Sequence, residues 1–237
     1  LGLGMFIFFT QLILFSKSKL EFLINSMLFV FISYRGIVTF SRGGIITAVG
    51  MIVSLLFLLY YFSNARGKSK VSLIVVLTGL LSLGIWTYSS FQTRGLIEKR
   101  YANKDALGRE KKDRLGGREE IMDIEIKLFM DNPFLGIGAG LSKSKRVGEL
   151  GAEVASHNEI TRLLAEHGVF GLIGFLILGA TPFFLYINNK QHLYFLPFII
   201  FWLLTINHAA MRTAAPAFVY ALSLLFVQVK IPEETEN

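Results

Sequence analysis

The stretch GIITAVGMIVSLLFLLYYF, residues 44–62, decides the fold, because it carries no charged side chain over a length that fits a membrane. A helix needs about 20 such residues to cross a bilayer. Six more apolar runs are present, at about residues 1–15, 20–34, 71–91, 168–187, 193–207 and 214–229. The sequence therefore predicts an all-α polytopic membrane protein with about seven transmembrane helices. The last two runs are short, so tilt or ragged ends can change that count by one.

The composition agrees with a membrane protein. Of the 237 residues, 53% are hydrophobic and only 17% are charged, and the mean hydropathy is +0.54. Soluble domains are rarely so apolar and so poor in charge. The absence of cysteine excludes disulfides and thiolate metal sites. The net charge of +7 suits basic connectors and an anion site, so we predict no nucleic-acid partner. Because Leu1 lies inside an apolar run without a basic leader, we expect a truncated first helix and earlier helices before it.

Basic residues in the short connectors predict the orientation of the helices. One set of alternate connectors carries seven of them, namely Lys17, Lys19, Arg66, Lys68, Lys70, Lys190 and Lys230. The two short connectors on the other side carry only Arg35, Arg42 and Arg212. Since short connectors rich in lysine and arginine stay in the cytoplasm, we predict that the first set is cytoplasmic.

The predicted organisation has four parts. Residues 1–91 form four transmembrane helices, residues 92–167 a large extracytoplasmic loop, residues 168–229 three more helices, and residues 230–237 a cytoplasmic tail. The loop is too long for its own charges to fix its side of the membrane. Its first, mixed-charge part is typical of a mobile or loosely helical surface.

Two arginines stand at the outer boundary of the membrane. Arg42 belongs to SRGG, residues 41–44, and Arg35 lies one short connector earlier. An ionisable residue at such a place is a functional candidate, although a long arginine can also simply reach the lipid headgroups. The two glycines after Arg42 permit close approach of backbone or ligand and favour function there. For Arg35 the two interpretations stay even.

The loop contains a predicted amphipathic helix within LGGREEIMDIEIKLFMDNPFLGIGAG, residues 115–140, since Ile121, Ile124 and Leu128 recur at helical spacing. Arg118 in its first turn could bind a phosphate with two parallel hydrogen bonds, or could pair with a loop carboxylate such as Glu119. The GIGAG sequence that follows has no preceding strand, so a tight re-entrant turn is a better interpretation than a nucleotide-binding loop.

The stretch SHNEITRLLAEHG, residues 156–168, predicts a second helix in the loop. Ser156 and Glu159 match a capping box, so the helix should begin at His157, and Gly168 should end it or bend it into the next span. His157 and Asn158 would then lie in a first turn, where free N–H groups and the helix dipole favour an anion.

These motifs, taken together and in this order, resemble the O-antigen ligase and O-antigen polymerase superfamily of bacterial membrane glycosyltransferases. The resemblance rests on SRGG (41–44), on GRxxIM with NPFLGIGAG (117–140), and on HNEITRLLAEHGVFGLIGF (157–175). It covers the central two-thirds of the chain. The family's aromatic residue after the HN pair is replaced by Ile160.

The resemblance implies an enzyme of the bacterial cytoplasmic membrane, with its active site facing the periplasm or exterior. Such an enzyme transfers a glycan from a polyprenyl-pyrophosphate carrier to an acceptor hydroxyl in surface polysaccharide synthesis. It implies pyrophosphate binding by Arg42 and Arg118, to which we add Arg35, and catalysis by His157. Asn158, Ser41 and Glu166 are predicted to support these residues.

The chemistry of the residues agrees with that role. Arginines can stabilise the charge that develops on a pyrophosphate leaving group, and histidine, with an unperturbed pKa of about 6.5, suits a base for the acceptor hydroxyl. Glu159 or Glu166 is the alternative base, and a positioning role for His157 also stays open. No acidic cluster suggests a metal, so we predict transfer without a metal ion or other cofactor. A transporter or binding protein for an anionic solute is the alternative function, but its spans should carry central ionisable groups, and these apolar runs hold almost none.

Overall fold

The computed structural model describes residues 1–110, 118–151, 155–206 and 214–225. The regular structure in these ranges is helical. The α-helices are α1 Gly2–Thr10, α2 Lys19–Val38, α3 Arg42–Phe62, α4 Ala65–Gln92, α5 Leu96–Tyr101, α6 Arg118–Asp131, α7 Ser142–Leu150, α8 Glu159–Asn188, α9 Leu196–Thr205 and α10 Ala214–Leu222. A π-helical turn, Gln11–Phe15, continues α1, and a 3₁₀ segment, Lys190–Phe195, leads into α9.

Four of the seven predicted spans form helices that are long and apolar enough to cross a membrane: α2, α3, α4 and α8. The runs at 1–15 and 193–207 form the shorter apolar helices Gly2–Phe15 and His192–Thr205, and the last run contains the nine-residue α10. The count of seven spans therefore stays a prediction. The predicted cytoplasmic tail, Arg212 and the glycines just before Arg118 lie outside the described residues.

The largest apolar core surrounds α3. Ala48 and Met51 of this helix are fully buried, and α1, α2, α9 and α10 supply side chains to the same cluster. Gly50 allows α9 to approach closely, since a Cβ there would lie 2.6 Å from a methyl carbon of Leu204. On α4, by contrast, most of the apolar side chains are exposed, as expected for a helix that faces lipid.

The helix α8 bends at Gly168, which is one of the two outcomes that the sequence predicts there. Gly168 has φ 61° and ψ −144°, a backbone conformation that is essentially restricted to glycine. A Cβ on Gly168 would lie 2.3 Å from the carbonyl oxygen of Phe134, so the bend also needs the space that glycine leaves. The bend separates a polar segment, residues 159–167, from the apolar helix of residues 169–188.

The glycine-rich loop after α6 supplies the hydrogen bonds that the bend would otherwise lose. The N–H of Ile137 donates to the carbonyl of Ala165 at 2.9 Å, and the N–H of Gly138 donates to that of Glu166 at 3.0 Å. In return, the N–H of Val169 donates to the carbonyl of Pro133 at 2.8 Å. GIGAG forms a tight turn as predicted, with positive φ at Gly136, Gly138 and Gly140, while the re-entrant part of that prediction stays a prediction.

Replacing Gly168 with alanine should destabilise the protein, because the new Cβ meets backbone atoms and the positive φ becomes strained. We expect a loss of roughly 2 kcal/mol or more, measured by thermal or denaturant unfolding in detergent. Gly174→Ala is the matched control on the same helix, since a Cβ there meets nothing within 4 Å. It should be neutral or stabilise by about 0.5–1 kcal/mol. Equal stability of the two variants would contradict this account of the bend.

Candidate active site

Three polar helical segments pack into one unit next to the bend. We call α6, α7 and residues 159–167 of α8 the three-helix unit. Its interior contains charged side chains instead of a purely apolar core: Glu125, Arg146, Glu159 and Glu166 are all buried. Buried charges are tolerated only when they are paired and hydrogen-bonded, so their partners determine how the unit is built.

Glu125 of α6 joins all three segments. Its Oε1 accepts a hydrogen bond from Nη1 of Arg146 on α7 at 2.5 Å. Its Oε2 accepts from the hydroxyls of Ser156 at 3.0 Å and Thr161 at 2.6 Å. Burial raises the pKa of Glu125, while these hydroxyls and the Arg146 charge oppose that rise. The Arg146 guanidinium cannot lose its proton in practice, so it needs this carboxylate as its counter-ion.

A second ion cluster lies within the first part of α8. Arg162 contacts Oε2 of Glu159 at 2.6 Å and Oε2 of Glu166 at 2.7 Å, so one guanidinium bridges two carboxylates on successive turns. The other oxygen of Glu166 accepts from the hydroxyl of Ser142 at 2.5 Å, which links α8 to α7. Glu166 therefore joins α7 to α8, and its predicted role in supporting the site residues stays a prediction.

The helix α8 begins two residues later than the capping box predicts. It starts at Glu159 with Asn158 as its N-cap, whose Oδ1 accepts from the N–H groups of Ile160 at 2.9 Å and Thr161 at 3.4 Å. The Ser156 hydroxyl accepts from the N–H of Asn158 at 3.3 Å and donates to Glu125, so it holds the chain just before the helix while Asn158 caps it. The prediction that His157 and Asn158 lie in the first turn is wrong. His157 precedes the cap and is partly exposed.

The helices α6 and α8 run side by side in the same direction. Met122 contacts Asn158, with 3.9 Å between Sδ and Nδ2, and further along Pro133 contacts the N–H of Val169. Arg118, one turn before Met122, therefore lies at the end of the unit where His157 is found. Its side chain is partly buried.

Arg42 is held by the chain that follows α4. Nη2 of Arg42 donates a hydrogen bond to the carbonyl oxygen of Arg100, and Nε of Arg42 has no hydrogen-bond partner among the described residues. Burial raises the pKa of the neighbouring Tyr101, and the charge of Arg42 opposes that rise. Ser41 caps α3 by accepting from the N–H of Gly44 at 3.3 Å. The role of Ser41 is thus to fix the helix start from which Arg42 projects.

The ends of α2 and α4 and the start of α3 meet at Arg42. Ile37, Ile85 and Ile97 form one buried cluster there, with Phe40 and Tyr101 packed against it. Arg35 lies in the last turn of α2, close to this cluster, with its side chain exposed. The two boundary arginines are therefore on the same end of the helix bundle.

The bend of α8 lies at this end as well, because α9 is antiparallel to both α3 and α8. Along α3, Phe62 packs on Tyr194 with ring centroids 5.6 Å apart, while Gly50 meets Ile200 and Leu204. Along α8, Phe175 stacks on Trp202 at 5.6 Å. The structure thus brings the two boundary arginines, Arg35 and Arg42, to the same end of the bundle as the three-helix unit. Arg118 lies on that unit and His157 lies just before its α8 segment, whereas Arg35 and Arg42 lie on α2 and α3.

A comparison with known protein families gives a match to this chain. A family model described as O-antigen ligase matches residues 27–176, more than half of the chain. The matched region runs from α2 through the bend and includes every candidate site residue. The chain belongs to the O-antigen ligase family. No individual curated protein matches the chain.

Membership in the O-antigen ligase family confirms the resemblance based on SRGG, NPFLGIGAG and HNEITRLLAEHG. Together with the apolar helices, it indicates a multi-pass membrane protein with a glycosyltransferase-type role in surface polysaccharide synthesis. Lipid-linked glycans are the class of substrate that the family implies. Within the described ranges, no group of three or more histidine and acidic side chains is placed to hold a metal ion.

Sequence reasoning missed the residues that build the three-helix unit, namely Glu125, Arg146 and Arg162. A signal for Glu125 was available, because it lies four residues after Ile121, on the apolar face of α6. A charged residue in an apolar stripe indicates a buried partner. Nothing in the sequence identifies that partner as Arg146, which is 21 positions away.

Replacing Arg162 with methionine should destabilise the three-helix unit, because Glu159 and Glu166 would lose their shared counter-ion while staying buried. We expect a loss of roughly 3–5 kcal/mol in unfolding free energy, the usual cost of removing one partner of a buried pair. Lys145→Met makes a similar change of charge at an exposed position on α7 and should alter stability by about 0.5 kcal/mol or less. If both variants unfold at the same temperature, Arg162 does not hold these carboxylates.

Proposed function

We propose that this protein transfers a glycan from a polyprenyl-pyrophosphate carrier to an acceptor hydroxyl at the outer face of the bacterial cytoplasmic membrane. In this proposal Arg42, Arg118 and Arg35 bind the pyrophosphate, and His157 takes the proton from the acceptor hydroxyl. The single observation that carries the proposal is that these residues share one end of the bundle in a chain of the O-antigen ligase family.

Three arginines suit the donor better than a single charge would. The bond that breaks joins the anomeric carbon to a pyrophosphate, and the negative charge on that pyrophosphate grows in the transition state. Each well-placed arginine can contribute roughly 10²–10³ in rate to such a step. Among the described residues, Arg42 has one acceptor, the Arg100 carbonyl, so its guanidinium keeps N–H donors for phosphate oxygens. No metal ion is required for this scheme.

His157 is a better candidate for the base than the two glutamates. Both Glu159 and Glu166 are buried, and Arg162 binds one carboxylate oxygen of each. His157 is partly exposed and precedes the helix, where an acceptor can reach it. Attack by a hydroxyl activated in this way is one displacement, so we expect inversion at the anomeric carbon.

An apolar groove between α2 and α4 supports a lipid-linked donor. It has a volume of about 750 Å³, and its lining includes Met27, Val30, Phe31, Tyr34, Gly84 and Tyr88. The rings of Tyr34 and Tyr88 lie 5.5 Å apart near the end of α2. The next residue after Tyr34 is Arg35, so an isoprenoid chain in the groove would bring its pyrophosphate to the boundary arginines.

Filling this groove should weaken the use of long-chain donors. A Cβ on Gly84 has nothing within 4 Å, so Gly84→Leu should fold and extend into the groove. We expect KM for an undecaprenyl-pyrophosphate glycan to rise about tenfold, as expected when roughly 1.4 kcal/mol of apolar contact is lost, while KM for a donor with a short prenyl chain changes little. Gly79→Leu, on the same helix outside the groove lining, is the matched control. Equal KM values for all three proteins would refute a lipid site between α2 and α4.

The proposed reaction can be measured with the purified full-length protein, an undecaprenyl-pyrophosphate glycan and candidate acceptors. We expect Arg42→Ala and Arg118→Ala each to lower kcat by roughly 10²–10³, because each removes a donor to the leaving group. His157→Ala should lower kcat by about 10²–10⁴, the usual contribution of general acid–base catalysis. EDTA should not change the rate of the unmodified protein.

Arg66→Ala is the control for loss of one positive charge, since Arg66 is exposed in the first turn of α4, at the opposite end of the bundle. All variants should unfold at temperatures close to that of the unmodified protein. A fully active His157→Ala protein would remove the base from the proposal. Absence of transfer with every lipid-linked donor would remove the proposed function itself.

A further inference from the structure

The Glu125 carboxylate holds the chain on both sides of His157. Ser156 immediately before His157 and Thr161 in the first turn of α8 both donate to the same oxygen, Oε2. The segment between them is only four residues long. Within it, the Asn158 side chain accepts from Ile160 and Thr161, which fixes the start of the helix.

The second oxygen of the carboxylate fixes Glu125 itself. Oε1 accepts from Arg146, and both side chains are fully buried, with 0% exposure each. The carboxylate has three hydrogen-bond donors, Arg146 on α7, Thr161 on α8 and Ser156 just before α8, so neither its position nor its rotamer can change without breaking one of these bonds.

Stability alone gives a weak reason for such a pair. Removing two charges from water is costly, and a buried ion pair can often be replaced by apolar side chains of similar volume with no loss of stability. What an apolar pair could not supply is an acceptor for the two hydroxyls that flank His157. Directional hydrogen bonds fix a geometry that apolar packing leaves looser.

We propose that Glu125, anchored by Arg146, is a positioning residue that sets the location of the His157 imidazole through Ser156 and Thr161. This inference rests on the proposed role of His157 as the base. Proton transfer requires the base within hydrogen-bond reach of the acceptor hydroxyl, and a displacement of about 1 Å can cost on the order of 10²-fold in rate. The ion pair of the three-helix unit therefore acts on the reaction without touching the substrate.

Two variants separate positioning from a purely structural role. Thr161→Val removes one donor to Glu125 and keeps the shape of the side chain. The double variant Glu125→Leu/Arg146→Met replaces the pair with apolar side chains, and the Ser156 hydroxyl can then still donate to the carbonyl of Asn158. We expect both proteins to stay folded. Thr161→Val should unfold at a temperature near that of the unmodified protein. The double variant should unfold at a higher temperature than the single variant Arg146→Met, which leaves Glu125 without its counter-ion.

In both variants kcat should fall by roughly 10- to 100-fold while KM changes less than about twofold, because the donor site is intact and only the base is displaced. Lys145→Met, next to Arg146 on an exposed face of α7, should leave both constants unchanged. Full activity of the double variant would overturn the proposal, since apolar packing alone would then suffice.

A direct measurement does not depend on activity. The chain has no cysteine, so His157→Cys gives a single site for a nitroxide spin label. In detergent or nanodiscs, the electron paramagnetic resonance spectrum of this label should show greater mobility when Thr161→Val or the apolar pair is present, and no change with Lys145→Met. A label at Lys70→Cys, on exposed α4, should be unaffected by any of them.

The two measurements keep the inference separate from the proposed function. If the label at position 157 is equally immobile in all backgrounds, Glu125 does not position that residue, whatever the activity of the protein. If the mobility changes as expected but the unmodified protein transfers no glycan, the proposed function fails, and with it the catalytic part of this inference. Increased mobility together with the loss of kcat supports both.

Discussion

The hydrogen bonds between the glycine-rich loop and the bend of α8 are the constraint on which the rest of this end of the molecule depends. At a sharp bend, the carbonyls just before it and the N–H groups just after it lose their regular helical hydrogen bonds. Leaving such backbone groups without partners near a membrane costs folding free energy. Here the N–H groups of Ile137 and Gly138 and the carbonyl of Pro133 replace them. The loop can come so close only because Gly136 and Gly168 carry no Cβ.

This docking connects the membrane-embedded part of α8 to the three-helix unit. It fixes the end of α6 against the bend, and α6 then runs alongside residues 159–167 in the same direction. Glu125, in the middle of α6, reaches Thr161 for this reason. The direction of the bend therefore determines which side chains meet inside the unit.

The sequence was sufficient for features that depend on local patterns. Residues 44–62 indicated a membrane helix, the spacing of Ile121, Ile124 and Leu128 indicated α6, and Gly168 indicated a helix end or a bend. It was insufficient where two local signals competed. Ser156 and Asn158 are both good cap residues, and Asn158 caps α8 while the Ser156 hydroxyl bonds to Glu125, which is far away in sequence. The pairing with Arg146 depends on tertiary packing in the same way.

Five charged side chains of the three-helix unit are paired with one another. Glu125, Glu159 and Glu166 are buried, and Arg146 and Arg162 neutralise them, so these carboxylates do not repel an anionic ligand as exposed ones would. Arg35 is exposed, and the side chains of Arg42 and Arg118 are only partly buried. At the proposed pyrophosphate site, a carboxylate that pairs with Arg42 or Arg118 would compete with the ligand for the same guanidinium hydrogens, and these three carboxylates are bound to other arginines instead. Under the proposed function, the buried ion pairs thus favour anion binding indirectly, by keeping Glu125, Glu159 and Glu166 engaged with Arg146 and Arg162.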